Sequence, residues 1–295
     1  MTQNHAFLIV AHDYPEQLAE IVHLLDAPNH FFFIHIDKKN AVRMMESPGV
    51  MKLKRRRNCN ITHCVSVNWG GYSQIQATLC LLQMASNAAI DFSFYHLISG
   101  QDYPLVDTLV FDDFFQSHQN NSFVGLHNQS FFYRYEWYHM NDVINVTKFW
   151  GGLMENILCK CQSVLSRFLK IRKPLPMDEY KGSNWWSING EMFMYIVSFL
   201  QDNQAYVDRF RYTSCCDEIF FHTIMFNSPL KDSIVVNNLR YIDWKPKYVG
   251  EHLPRTLDET DIAELKKSKA LFCRKIHPQI SKEVINWIKH RITNG

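Results

Sequence analysis

The chain has 295 residues, with 31 lysines and arginines against 29 aspartates and glutamates, and a formal charge of +2. A hydrophobic share of 46% excludes a disordered chain, and the balanced charge excludes a protein built chiefly to wrap nucleic acid. The aromatic share of 14% either fills a heavy core or supplies ring faces to a site.

In chain order, Phe7-Leu8-Ile9-Val10 reads as a buried strand, and Pro15-Glu16-Gln17 opens a helix with Leu18, Ile21, Val22 and Leu25 on one face. Phe31 to Ile36 is the next strand and ends at Asp37. A short strand lies between Asn60 and Val67, a helix runs from about Ser73 to Ser86, and Phe92 to Ile98 is a fourth strand stopped by Ser99-Gly100. This alternation predicts an α/β fold with a central, mostly parallel sheet covered by helices on both faces. Ligands bind beyond the carboxyl ends of such strands, so 10–13, 37–39, 67–71 and 99–102 become the candidate site segments. The stretch 130–176 is less regular. It holds the aromatic run Phe131 to Tyr138 and a basic, helix-like run from Arg167 to Lys173 that ends in Lys173-Pro174-Leu175-Pro176. Helices follow at about 190–200 and 217–226, then a strand at Ile234-Val235-Val236 and a terminal helix from Ser281 to Ile292.

The apolar residues Ala6 to Ala11 lack the basic flank and small-residue cleavage site of a leader, and no stretch reaches the length of a membrane span. The eight cysteines form no C-x-x-C pair. A cytoplasmic chain with reduced thiols and one continuous domain is expected.

Three chemistries compete. A divalent-metal hydrolase would use His12, His35 and Asp37 at neighbouring strand ends, although no H-E-x-x-H is present. A dinucleotide or phosphate-loop enzyme lacks its glycine fingerprint after Val10. Sugar transfer from a nucleotide donor fits more of the residues. Asp37 can accept from a base or ribose, and Trp69 offers a ring beside Gly70 and Gly71, which admit close backbone approach. There is no Asp-x-Asp to carry a metal, so the fixed cations Arg274 and Lys275 are candidates to neutralise a diphosphate; the competing reading makes them surface charges. Asp102 either braces the turn before Pro104 or touches the sugar. The run Lys52 to Arg57 is either a solvated face or a contact to an anionic membrane.

Seven motifs in register then resemble glycosyltransferase family 14, the core-2/I-branching β-1,6-N-acetylglucosaminyltransferases and peptide O-xylosyltransferases. They are Leu8-Ile9-Val10-Ala11-His12, His35-Ile36-Asp37-Lys38-Lys39, Val67-Asn68-Trp69-Gly70-Gly71, His96 to Pro104, Gly182-Ser183-Asn184-Trp185-Trp186, Asp217-Glu218-Ile219-Phe220-Phe221 and Phe272-Cys273-Arg274-Lys275. The resemblance implies a type-A glycosyltransferase fold with a Rossmann-like nucleotide-binding half at about 1–125 and an acceptor-binding, catalytic half at about 126–295. It implies an inverting transferase that uses a UDP-sugar, N-acetylglucosamine or xylose, and needs no metal cofactor. On this resemblance Glu218 is the general base. Val10, Asp37, Trp69, Arg255, Arg274 and Lys275 bind the donor, and Glu136, Trp186 and Trp244 face the acceptor. A chain without the membrane anchor and lumenal disulfides of animal relatives is expected, and with it a cell-surface polysaccharide or a lipid-linked glycan as acceptor. A peripheral position at the inner face of the membrane, reached through Lys52 to Arg57, is the accompanying expectation. A non-catalytic glycan-binding protein is the remaining alternative.

Overall fold

The computed structural model describes residues 3–128, 131–144, 146–172, 175, 177–251 and 253–294. Strand β1 (His5–Ala11) is followed by helix α1 (Pro15–Leu24) and β2 (His30–Ile36). Two short helices, α2 (Ala41–Met45) and α3 (Pro48–Lys54), lead to β3 (Cys59–Thr62). Helix α4 (Ser73–Ser86) precedes β4 (Phe94–Ser99), β5 (Tyr103–Pro104), α5 (Thr108–Ser117) and β6 (Ser122–Val124). Then come α6 (Phe132–Glu136), α7 (Phe149–Leu165), β7 (Trp186–Asn189), α8 (Gly190–Asp202), α9 (Gln204–Arg209) and α10 (Phe220–Phe226). The chain ends through β8 (Ile234–Val236), β9 (Arg240–Ile242), α11 (Ile262–Lys267), β10 (Phe272–Arg274) and α12 (Lys282–Asn294).

The strands form a seven-stranded sheet in the order β3-β2-β1-β4-β7-β6-β8 and a three-stranded sheet in the order β5-β10-β9. β3, β2, β1 and β4 run parallel, whereas β7 is antiparallel to both its neighbours. The mostly parallel α/β sheet expected from the strand–helix alternation is therefore what is found. Alternating side chains divide β1 between two cores. Phe7 and Ile9 pack with Leu18, Ile21 and Val22 of α1, Val50 and Leu53 of α3, and Val284 and Ile288 of α12. Ala6 and Leu8 pack on the other face with Ile75 and Leu81 of α4 and with Phe220 and Ile224 of α10. The switch in strand order falls between β1 and β4, where the register pairs Val10 with Ser99. A crevice at the carboxyl ends of these two strands is where such a sheet presents a site.

The middle of the chain corrects one sequence expectation. Its helix is Phe149–Leu165, not the basic run that follows, and Arg167 to Arg172 forms turns. Gly151 and Gly152 weaken the helical signal of the first segment, and the clustered lysines and arginines imitate one in the second. Lys173, Pro174 and Pro176 of that run lie outside the described residues. The Lys52 to Arg57 run is mostly solvated, with Leu53 buried and Arg56 paired to Asp26. No helix among the described residues is long and apolar enough to cross a membrane.

Candidate active site

Two groups of side chains meet at the carboxyl ends of β1, β2 and β4. The first is built on the ends of the strands themselves. Asp37 is buried at the end of β2, and its Oδ1 accepts from the backbone of Lys39 at 3.0 Å and of Val67 at 3.2 Å. It thereby stitches β2 to the Trp69 loop, while Oδ2 lies 3.6 Å from Lys39 Nζ. Val10 is half-buried one residue from the end of β1, and its carbonyl accepts from Gly100 at 3.0 Å.

The Arg274-Lys275 pair arrives at the same place on the strand following α11. Arg274 Nη1 donates to Ser99 Oγ at 2.6 Å and Asp102 Oδ2 at 2.9 Å, and its guanidinium lies 4.4 Å from the centre of the Trp185 ring. Asp102 is fully buried and also accepts from the Ser99 backbone at 2.7 Å, so it braces the turn and holds Arg274. Ile276 N donates to Gln101 O at 3.0 Å, and Gln17 Nε2 donates to Gly100 O at 2.7 Å, which closes the two loops on each other. Lys275 has no carboxylate within 4 Å of its Nζ among the described residues. Its pKa is held below the usual lysine value by burial, and then by the adjacent Arg274. Burial lowers the pKa of His12, with smaller and opposing contributions from Asp13, Lys275, Asp37 and Arg274.

The second group surrounds Glu218, the last residue of a 3-10 turn, Cys216–Glu218, just ahead of α10. Arg134 Nη1 of α6 donates to Glu218 Oε2 at 2.6 Å, and Lys181 Nζ stands 3.6 Å from the same oxygen. Oε1 carries no hydrogen bond among the described residues. His127 completes the group: its pKa is lowered by burial and then by Lys181, against an opposing pull from Glu218. Asp217 beside it is buried, which pushes its pKa up to about 7, with Glu218 adding to the rise.

The Trp69 loop joins the two groups. Gly70 has φ +69°, and a Cβ there would stand 2.8 Å from Asn141 Nδ2, so glycine is required. Its carbonyl accepts from Cys215 N at 2.8 Å and Asn141 Nδ2 at 2.9 Å, while Gln74 links Gly70 N at 2.5 Å to Asp217 Oδ2 at 3.2 Å. Cys215 itself sits in the left-handed region at φ +45°, a conformation rare for a side chain larger than glycine and common where a backbone is forced to aim a functional group. Trp69 is 66% exposed and presents its ring to solvent beside this junction.

Two sequence expectations are corrected. Trp186 is fully buried in β7, packed in the core at 5.9 Å from the Phe221 ring, and cannot face an acceptor. Its neighbour Trp185 lies over Arg274 instead, as the alternation of side chains along a strand requires. Arg255 is buried and saturated by carboxylates: Nη1 donates to Asp261 Oδ2 at 2.8 Å and Nε to Asp243 Oδ2 at 2.8 Å. It is a structural cation with no charge left for a diphosphate. His12, His35 and Asp37 do not gather into a ligand set among the described residues, and His35 Nε2 accepts from Val65 N at 3.2 Å. Glu136 is half-buried among Tyr135, Glu179 and Arg209, and Arg134 of the same helix is what meets Glu218. Trp244 follows β9 and is 52% exposed. Arg134, Lys181 and Trp185 were missed as site residues. The signal for them was local: each lies in or beside a motif already singled out, and a carboxylate at an open mouth calls for cations to hold it.

Residues 5–271 match the family described as Core-2/I-Branching enzyme. Xylosyltransferase sqv-6 of Caenorhabditis briggsae is 25% identical over 75% of this chain and 26% of its own length. Xylosyltransferase 1 of Mus musculus is 24% identical over 82% of this chain and 24% of its own, and the Ciona intestinalis xylosyltransferase 21% over 97% and 34%. The chain thus spans about a quarter to a third of the curated relatives it matches. Among solved structures, 4-diphosphocytidyl-2C-methyl-D-erythritol synthase from Anaerococcus prevotii overlaps 68% of this chain and 76% of its own, with 6% identity and a TM-score of 0.35. The family match covers the sheet, the Trp69 loop and the Glu218 turn alike, and this chain belongs to the Core-2/I-Branching enzyme family.

Proposed function

We propose that this protein transfers a sugar from a UDP-sugar to a hydroxyl of a glycan acceptor, with inversion at the anomeric carbon. The observation that carries the reading is the split environment of Glu218: Oε2 is held by Arg134 and Lys181, while Oε1 is open. In the proposed step the acceptor oxygen attacks the anomeric carbon as the bond from that carbon to the β-phosphate oxygen breaks. The hydroxyl proton passes to Glu218 Oε1, and the charge left on the diphosphate meets Lys275 and the free edge of Arg274. A diphosphate leaves without a general acid if its charge is stabilised, so one carboxylate suffices where a glycosidase uses two. In this reading Asp37 and Val10 contact the uridine, with Trp69 at the mouth. Trp185, which lies against Arg274, and the exposed Trp244 are the candidate acceptor platforms.

The xylosyltransferase relatives favour xylose or a related sugar as the group transferred. Catalysis without a divalent ion is part of the proposal, and it is supported by the fixed cations at the strand ends. The test is a thermal-shift screen of nucleotide sugars, since a true donor stabilises only the folded state, followed by UDP release in excess chelator. Stabilisation by a UDP-sugar and release unaffected by chelator are expected. Activity lost in chelator and restored by a divalent ion overturns the metal-free reading, and binding with no turnover of any donor overturns catalysis.

A further inference from the structure

Helix α7 is mounted with its apolar side outward. Phe149, Trp150, Leu153, Met154, Ile157, Val164 and Leu165 recur at the three- and four-residue spacing of one helical face, and Phe168 and Leu169 continue it into the next turn. Such a stripe ordinarily packs on the core. Here every one of these side chains is exposed, Phe149 at 77% and Phe168 at 83%.

The opposite face holds the helix to the protein through polar contacts. Gln162 is buried; its Nε2 donates to Tyr138 O at 2.8 Å and its Oε1 accepts from Tyr138 N at 2.7 Å. Glu155 Oε1 lies 2.6 Å from His139 Nδ1, and its Oε2 accepts from Met140 N at 3.3 Å. Rotating the helix to bury its apolar face would strand these groups, so the outward stripe is specified by the sequence. A contiguous apolar surface of this kind marks a partner.

We propose that α7 and the turn after it lie in the surface of an anionic lipid bilayer. Charge selects this occupant. From Lys148 to Arg172 the only acidic residue is Glu155, which is turned inward to His139, whereas Lys148, Lys160, Arg167 and Lys170 are exposed along the stripe. A second copy of the chain on the same face would set these cations against each other with no carboxylate on the helix to oppose them. Acidic headgroups supply that opposition, and the aromatic rings at both ends of the stripe suit the headgroup–acyl boundary. The helix would lie along the bilayer and not cross it. The docking stands independently of catalysis. If the transferase reading also holds, the docking favours an acceptor presented from that surface.

The test is flotation of the full chain with phosphatidylcholine vesicles, with and without about 30% phosphatidylglycerol. Wild type floats with the anionic vesicles and about tenfold less with the neutral ones. The double variant Ile157→Gln/Phe168→Gln, at exposed positions that leave folding intact by circular dichroism, loses about tenfold of the bound fraction. Lys52→Gln/Lys54→Gln, on the separate basic run of α3, floats as wild type. Three results overturn the proposal: no flotation of wild type at low salt, undiminished flotation of the Ile157/Phe168 variant, or a stable dimer that this variant dissociates.

Discussion

Arg134 Nη1 stands 2.6 Å from Glu218 Oε2, and this contact fixes which oxygen of the carboxylate faces the open mouth. Arg134→Ala frees the carboxylate to rotate. The expected result is a fall in kcat of about tenfold to a hundredfold, because a misplaced base loses part of the roughly 10²–10⁴ that general-base catalysis supplies. The pair is partly exposed, so stability should change by only about 1 kcal/mol, read from chemical denaturation.

Lys275 has no carboxylate partner among the described residues, whereas Arg255 is held by two. Lys275→Ala should weaken UDP by about tenfold or more while uridine affinity barely moves, measured by calorimetry, since a charge-assisted contact to phosphate is lost. An equal drop for both ligands removes Lys275 from the diphosphate.

Arg255→Ala breaks a buried pair with Asp261 and a second with Asp243. A loss of about 3–5 kcal/mol of folding stability is expected, because two carboxylates are left without their cation. Folded variant protein should still bind UDP near wild-type affinity.

The tryptophans divide in the same way. Trp186→Ala opens a cavity in the core and should cost about 3–5 kcal/mol. Trp69→Ala removes an exposed ring, so its melting temperature should stay near wild type while donor affinity falls. Denaturation and binding curves on the two variants settle the assignment.

Asp217 gives a pH prediction. Its folded-state pKa, raised to about 7 by burial, lies above the ordinary value of 3.8. The folded protein therefore holds more protons than the unfolded chain between those values, and wild-type stability falls as pH rises through the window. Asp217→Asn removes this cost while keeping an oxygen for Gln74. The variant should melt several degrees higher than wild type above pH 7, with the gap closing as pH falls toward 4. A gap that is constant with pH contradicts the buried carboxyl.

The strand ends that carry the proposed donor site were legible because they sit on regular elements. The strands ending at Ala11, Ile36 and Ser99 announce themselves as apolar runs, and a parallel sheet dictates where their ends point. The helix Ser73–Ser86 follows from its periodicity. The segments proposed for the acceptor were harder. β6 has three residues and β7 four, too few to show from sequence that Trp186 is turned into the core while Trp185 lies against Arg274. Arg255 could not be told from a ligand-binding cation, because its partners Asp243 and Asp261 lie on separate segments that only the fold brings together. The outward face of α7 was invisible for a related reason: periodicity shows that a helix has an apolar side, not which way that side is turned.

The most direct measurement is UDP release from UDP-xylose and UDP-N-acetylglucosamine by wild type and Glu218→Gln, alongside the UDP dissociation constant of each. Inverting transfer with Glu218 as base predicts release reduced by roughly 10²–10⁴-fold with UDP affinity within a few-fold of wild type. Release within about tenfold of wild type contradicts it.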